Sequence, residues 1–487
     1  MNLAERLAGP RAAPRRALLL AALSAFVIIP MIAEDASPKP LSLDDAIVEG
    51  LARDPGIRSG SYDAISARAK ALDAMFRMAP SVAVSAGGMA NSSGSFASLG
   101  PIMGDLAGED AYLEHVSGTS SQLAKMATDL GNFTKPSNSL DYRVDFQYPI
   151  FAGMRLLQAA EIAKLGALGK ETGLELAKRA MTFEIERAYW EASRATASVA
   201  TLAKALELEG VLRDEMKSMF AQGMVTNADL LGEQARYDGA TLALDEAKSG
   251  QAMAFMGLAS LVGDESAISA SDPAGYLLLT KPGSRSWSDP GSDATALVGQ
   301  ALAARPETRL AGIGLEVGKH AKAAANGDLM PTVILMGSYS NADPDIASGR
   351  VTDAWADSWN IGIRVRYDLG TLPGALVREK AAAADLEKAR ADLDRSRNAV
   401  AFDVRKCLLS LSRTRNSLEL TKGMVAQAEE NLRVTQARFD NGIAKRSDLL
   451  QAQIALLRAN FAVENKGIDL EIAEADLDRA LARQPLP

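Results

Sequence analysis

The chain has 487 residues, enough for two or three ordinary cores. Aromatics make up only 5% of it and alanine is abundant throughout, a composition suited to close helix–helix contact rather than to a bulky globular core. The formal charge is −8, and residues 1–33 carry four Arg and one Glu, so the remainder carries −11; an acidic chain without a basic stripe argues against nucleic acid as a partner.

In chain order, the first expected element is a secretory signal at 1–33. Arg11, Arg15 and Arg16 precede an apolar run from Ala17 to Ile29, and Ala33 offers a small residue at its end. The run stops at Pro30, short of the roughly 20 residues a spanning helix needs. No later segment is apolar for so long, so an exported chain that touches a membrane would do so through strands. Cys407 is the only cysteine, which leaves no intrachain disulfide.

Two copies of one plan follow, 34–262 and 294–487. "GLARDPGI" at Gly50–Ile57 matches "ALAARPET" at Ala301–Thr308 with an offset of 251, which also aligns Pro80 with Pro331. An offset of 219 then pairs Tyr148 with Tyr367, Phe220 with Phe439 and Gln234 with Gln453. The first copy therefore carries 32 extra residues between its Pro80 and Tyr148. Insertions collect where the chain is unconstrained, which marks 91–139 as a long surface loop, extracellular if its flanking strands cross an outer membrane. Residues 263–293, rich in Pro, Gly and Ser, read as a linker between the copies.

Each copy has two expected strands, about 80–90 and 140–151 in the first and about 331–341 and 358–369 in the second. In "DYRVDFQYPI", Tyr142, Val144, Phe146, Tyr148 and Ile150 alternate with Arg143, Asp145 and Gln147. In "WNIGIRVRYD", Trp359, Ile361, Ile363, Val365 and Tyr367 alternate with Asn360, Gly362, Arg364, Arg366 and Asp368. Period two with one unbroken apolar face fits a membrane strand with aromatic ends, and equally an ordinary sheet with one wet side. If the strands lie in lipid, four cannot close a barrel, and several copies of the chain must complete one.

Long helical runs come next, Gly153–Phe220 and Pro373–Phe439, each about 100 Å at 1.5 Å per residue. In the second, Leu386, Leu393, Val400 and Cys407 keep period seven; Leu411, Leu418, Val425, Leu432 and Phe439 resume it displaced by four, a stutter that unwinds a left-handed supercoil. Helices packed around a wide tube would need such adjustment of twist, but a plain coiled coil would show the same heptads, so a periplasmic coiled-coil scaffold without a pore stands as the alternative.

The runs end in the same phrase twice, "FAQGMVTNADLL" at 220–231 and "FDNGIAKRSDLL" at 439–450. Gly223 and Gly442 suit a left-handed helix cap. Thr226–Asn227 and Ser447–Asp448 read as helix starts, with Asp229 and Asp448 in the new first turn, favoured by the helix dipole. Each phrase predicts a tight helical hairpin at the end far from the strands.

Duplicated halves, Pro-marked helix starts, paired strands, long helices and the repeated hairpin phrase together resemble the TolC family of outer-membrane efflux and secretion channel proteins, over nearly the whole chain after the signal. That resemblance implies a mainly α fold with β: duplicated helical-hairpin halves forming a trimeric α-helical tunnel joined to a 12-stranded transmembrane β-barrel, four strands per chain. It implies a homotrimer in the outer-membrane lipid of a Gram-negative bacterium, reached by a periplasmic adaptor (membrane fusion) protein and an inner-membrane pump or ABC transporter, as in tripartite efflux or type I secretion.

By the same resemblance Asp448 sits at an acidic pore constriction, while Gln451 stands where a second acidic ring is expected. The lock of the closed state would need a tyrosine where Phe439 stands and an arginine where Ala444 stands, next to Lys445 and Arg446; Asp229 matches their partner. Gly223, Met224, Val225, Thr226, Gly442, Ile443, Ala444 and Lys445 become the tip residues that meet the adaptor. A capping role for both aspartates stands alongside.

No catalytic constellation is expected. His115 and His320 have no neighbouring ligand pattern, and "GIGLEVG" at Gly312–Gly318 lacks a nucleotide-loop spacing. Neither a cofactor nor a metal is called for.

Overall fold

The computed structural model describes residues 39–90, 138–269, 272–280, 293–343 and 355–483. The expected signal at 1–33, nearly all of the 91–139 loop with His115, and residues 281–292 of the expected linker lie outside them.

Strand β1 (Lys39–Leu41) leads into helices α1 (Leu43–Arg53) and α2 (Pro55–Phe76), then strands β2 (Ser81–Ala90) and β3 (Asn138–Ala152). A 67-residue helix α3 (Arg155–Ala221) and a 36-residue α4 (Asn227–Val262) form the first hairpin. Short helices α5 (Glu265–Ser269) and α6 (Pro273–Tyr276) and strand β4 (Leu277–Leu279) lead to the second copy. That copy consists of α7 (Ala294–Ala304), α8 (Pro306–Gly327), β5 (Thr332–Asp343), β6 (Ala356–Arg366), the 69-residue α9 (Leu372–Asp440) and α10 (Arg446–Ala480). Among the described residues no helix is long and apolar enough to cross a membrane.

Pro55 and Pro306 occupy first helical positions, where a missing N–H costs nothing. Asp54 caps α2 by accepting from Ile57 N at 2.6 Å. Its counterpart Arg305 caps nothing and instead binds Asp403 at 2.7 Å and Glu307 at 2.6 Å, an ion cluster joined by Arg479. Helices α2 and α3 pack on one another, and each buries alanines seven apart, Ala64 and Ala71 in α2 and Ala160 and Ala167 in α3. Small side chains at that period let the two backbones approach along their length. Leu386, Leu393, Val400 and Cys407 are all buried, whereas past the stutter only Leu411 is; Leu418, Val425, Leu432 and Phe439 are half-buried in the single chain.

Partway along the rods sit two cores. One gathers Leu41, Leu43, Ile47, Ile185, Tyr189, Phe255, Leu258 and Leu277 from β1, α1, α3, α4 and β4. Here β1 pairs with β4 in parallel, and the Tyr189 hydroxyl reaches the Leu41 carbonyl at 3.1 Å and the Thr280 carbonyl. The stretch read as a linker is therefore ordered around Leu277, because this strand completes a core that local composition does not reveal. The second core joins Leu297, Val404, Leu411 and Leu477. Cys407 lies within it; burial, with Asp476 beside it, pushes its thiol up to about 12, so it stays protonated.

Candidate functional site

Four strands form one antiparallel sheet in the order β2-β3-β5-β6. Alternation decides which residues share a face. Val84, Val144, Tyr339 and Trp359 form one apolar row, Val82, Phe146, Gly337 and Ile361 the next, then Tyr148, Leu335 and Ile363. The register shifts between Pro149 and Phe151, so Phe151, rather than the expected Ile150, pairs with Val333 beside Val365. The apolar face is uncovered: Val84 is 78% exposed, Ile361 68% and Trp359 73%. Aromatics border it at both ends, with Trp355 stacked on Tyr142 at 5.5 Å near Trp359 and, at the helix end, Tyr148, Phe151 and Tyr367. From Trp359 to Tyr367 the chain advances about 27 Å at 3.4 Å per residue, close to the ~25 Å apolar band of an outer-membrane barrel.

The other face is polar. Ser85, Arg143, Ser340 and Ser358 share a row, and Ala83, Asp145, Ser338 and Asn360 the next. Ser340 and Ser358 hydroxyls meet at 2.8 Å, and Asn360 Nδ2 donates to Ser338 Oγ at 2.7 Å. Strands β2 and β6 each have a partner on one side only.

Where sheet meets helices, Asp328 accepts from Arg155 at 3.0 Å and from Arg378 at 3.0 Å, tying the starts of α3 and α9 together. Burial works against its ionisation, but the two arginines hold its carboxyl below the usual carboxylate range. Gly153, with φ +60°, crosses directly over Gly327, where a Cβ on either would collide with the other's backbone. This contact joins the two copies, and nothing in the repeat pattern pointed to it. His320 lies 2.6 Å from Gln158, between α8 and α3.

At the far end the hairpins share one backbone. Gly223 and Gly442 both have φ +74°, and the N–H of the next residue reaches back five positions in each: Met224 to Met219 at 2.9 Å, Ile443 to Arg438 at 2.8 Å. The caps differ. In the first, Thr226 Oγ1 accepts from Asp229 N at 3.2 Å and Asp229 Oδ2 accepts from Thr226 N at 3.0 Å, a reciprocal box. The hydrogen bonds from Thr226, helped by the charge of Lys445, hold the Asp229 carboxyl below its ordinary range. In the second, the cap position is Lys445, not the expected Ser447, which lies inside the first turn. Lacking a hydroxyl, Lys445 contributes its N–H to Asp448 Oδ2 at 3.1 Å, and half the box is missing.

Met224 and Ile443 are 62% and 74% exposed, and Gly223, Thr226, Gly442 and Lys445 are also open, with Val225 and Ala444 partly covered. Phe439 is half-buried, and the cation brought toward Asp229 is Lys445. Gln451 is exposed on a cleft of about 680 Å³ that also contains Glu209, Arg236 and Arg458. Burial raises the Glu209 carboxyl and the nearby Glu233 raises it further, against Arg458 and Arg236. Leu212 of α3 packs on Leu450 and Ile454 of α10, so the two hairpins meet just behind their tips. The acidic pair was not found from sequence, since it arises only when α3 and α4 are folded together.

Residues 297–483 match the family described as outer membrane efflux protein. The chain is 23% identical over 306 residues to outer membrane protein TolC of Vibrio cholerae, an alignment covering 62% of this chain and 68% of that one. Its fold is similar to that of a membrane protein from Pseudomonas aeruginosa, with TM-score 0.70, 19% identity and coverage of 90% of this chain and 93% of that one. It is also similar to the Campylobacter jejuni CmeC outer membrane channel, with TM-score 0.71, 15% identity and coverage of 90% and 85%.

Proposed function

We propose that this chain, whose residues 297–483 match the outer membrane efflux protein family and which is similar to TolC, serves as an outer-membrane exit channel. The channel is passive, and it carries solute from a periplasmic pump partner to the exterior of a Gram-negative cell. The carrying observation is a four-stranded sheet with an uncovered apolar face, one-sided edge strands and a polar opposite face, continuous with two helical hairpins about 100 Å long. Edge amides left unpaired in lipid cost several kcal/mol each, so β2 of one copy must pair with β6 of another until the ring closes. Three copies supply the twelve strands expected from the family resemblance. A coiled-coil scaffold would require the face bearing Val84, Ile361 and Trp359 to pack on a soluble core, and no element covers it among the described residues.

In this reading the hairpin tips are the periplasmic mouth. Gly223–Thr226 and Gly442–Lys445 meet a periplasmic adaptor protein, through exposed Met224 and Ile443, and behind them an inner-membrane pump or ABC transporter delivers cargo. Asp448 serves two ends at once, capping α10 and presenting a carboxylate at the constriction, with Asp229, Gln451 and Phe439 shaping the same mouth. Purified outer-membrane protein placed in planar lipid bilayers tests the reading. Discrete conductance steps are the expected result; release with the periplasmic fraction and no conductance would reject it.

A further inference from the structure

The polar face of the sheet is not uniform in charge. Toward its outer end it carries Asp141, Arg143 and Asp145. At the helix end of β6 stand Arg364 and Arg366, two residues apart and therefore on one face, about 7 Å from each other. Their neighbours in sequence, Ile363 and Val365, lie on the uncovered apolar face, 66% exposed each, so the guanidiniums point to the opposite side and cannot be lipid-facing anchors. Arg364 has no hydrogen-bond or ion-pair partner among the described residues, and the side chain of Arg366 is 75% exposed with a loose contact of 3.8 Å to Asp368. Where the sheet meets the helices, the Asp328 carboxylate is already held by Arg155 and Arg378. Helices α3 and α9 begin beside this band without an acidic residue in the first turn, so little there offsets its sign.

Resting on the channel reading, we infer that Arg364 and Arg366 form an anion-attracting band around the inner end of the barrel lumen, which selects for small anionic solutes (carboxylates, sulfates and phosphates) over cations. When the sheets of several copies close on one another, each copy contributes two guanidiniums to a single aqueous section. Rings of charged side chains set the sign of ions that a pore favours, and arginine rings favour anions. At low salt the screening length, about 30 Å at 0.01 M, spans such a section; near 1 M it falls to about 3 Å.

The test is the reversal potential of the full-length channel in planar bilayers under a potassium chloride gradient at low ionic strength. With the acidic mouth in series, wild type is expected to reverse nearer the chloride side than R364Q/R366Q, by a margin that shrinks at high salt. The R364Q/R366Q double variant is expected to shift toward the potassium side, while R364K/R366K, which keeps the charges, stays with wild type. An unchanged reversal potential in R364Q/R366Q would overturn the band while leaving the channel standing. If that variant fails to assemble, inorganic tripolyphosphate on the wild-type channel decides: block at low salt that is relieved at high salt supports the band, and no block overturns it. Absence of conductance in the wild type would reject the channel reading itself.

Discussion

The two ends of the rod differ in what one chain completes alone. At the hairpin end each tip closes its own backbone: a left-handed glycine, a five-residue back-bond and a carboxylate on the next helix's first turn. At the sheet end β2 and β6 each have a partner on one side only, and a whole apolar face is uncovered. Local chemistry suffices where the chain turns, so that end is written in a few residues and written twice. In the proposed channel the other end is a fragment of a larger wall, whose stability depends on lipid and on further copies.

The largest effect should come from breaking the sheet end. Ile363 lies midway between Trp359 and Tyr367 on the uncovered face. Ile363→Arg should cost about 2–4 kcal/mol in the membrane and abolish outer-membrane assembly, read by fractionation, while leaving the hairpins helical by circular dichroism. Loss of helix together with loss of assembly would mean that the two ends are not independent.

At the tips the shared backbone predicts shared penalties. No atom lies within 4 Å of a Cβ built on Gly223 or Gly442, so any cost is conformational. Gly223→Ala and Gly442→Ala should each weaken the tip by roughly 1–2 kcal/mol, seen as equal loss of hydrogen-exchange protection in the flanking turns. Unequal losses would show that the two tips are not the same device.

The caps should then separate them. Thr226→Ala removes one half of the reciprocal box and should cost about 1 kcal/mol locally, whereas Lys445→Ala should cost little, since only its N–H caps. Because Asp229 is held below its ordinary range, its contribution is present above the unfolded carboxylate value and is lost as pH falls through the folded one. Acidification should therefore loosen the first tip in wild type and have less to remove in Thr226→Ala, measured by hydrogen exchange against pH.

A small structural effect is expected at Asp448. Asp448→Ala loses one first-turn carboxylate, worth about 0.3–1 kcal/mol. It should nevertheless raise single-channel conductance or weaken blockade by multivalent cations. If both stay at wild-type values, the carboxylate is a cap and nothing more.

Much of this is legible in the sequence. Period-two alternation located the sheet strands, and the doubled glycine phrase located both tips, because each depends on neighbours in sequence. Legibility failed where partners are distant. Leu277 belongs to a strand only because β1 lies beside it, and Asp328 acts as a clamp only because Arg155 and Arg378 converge on it. Ser447 was the wrong cap by two residues, since Ser is the common cap residue and Lys445 is not. The bulge that replaces Ile150 by Phe151 is invisible in the alternation itself, which runs on through Ile150. Behind the tips, Glu209 and Glu233 lie on different helices and become a pair only in the folded hairpin.

The mass of the particle extracted from outer membranes in mild detergent bears most directly on the unfinished sheet. Three copies per particle is the predicted result, with β2 and β6 amides protected from exchange as inner strands are. A single copy, stable in plain buffer with those edge amides exchanging freely, would contradict it.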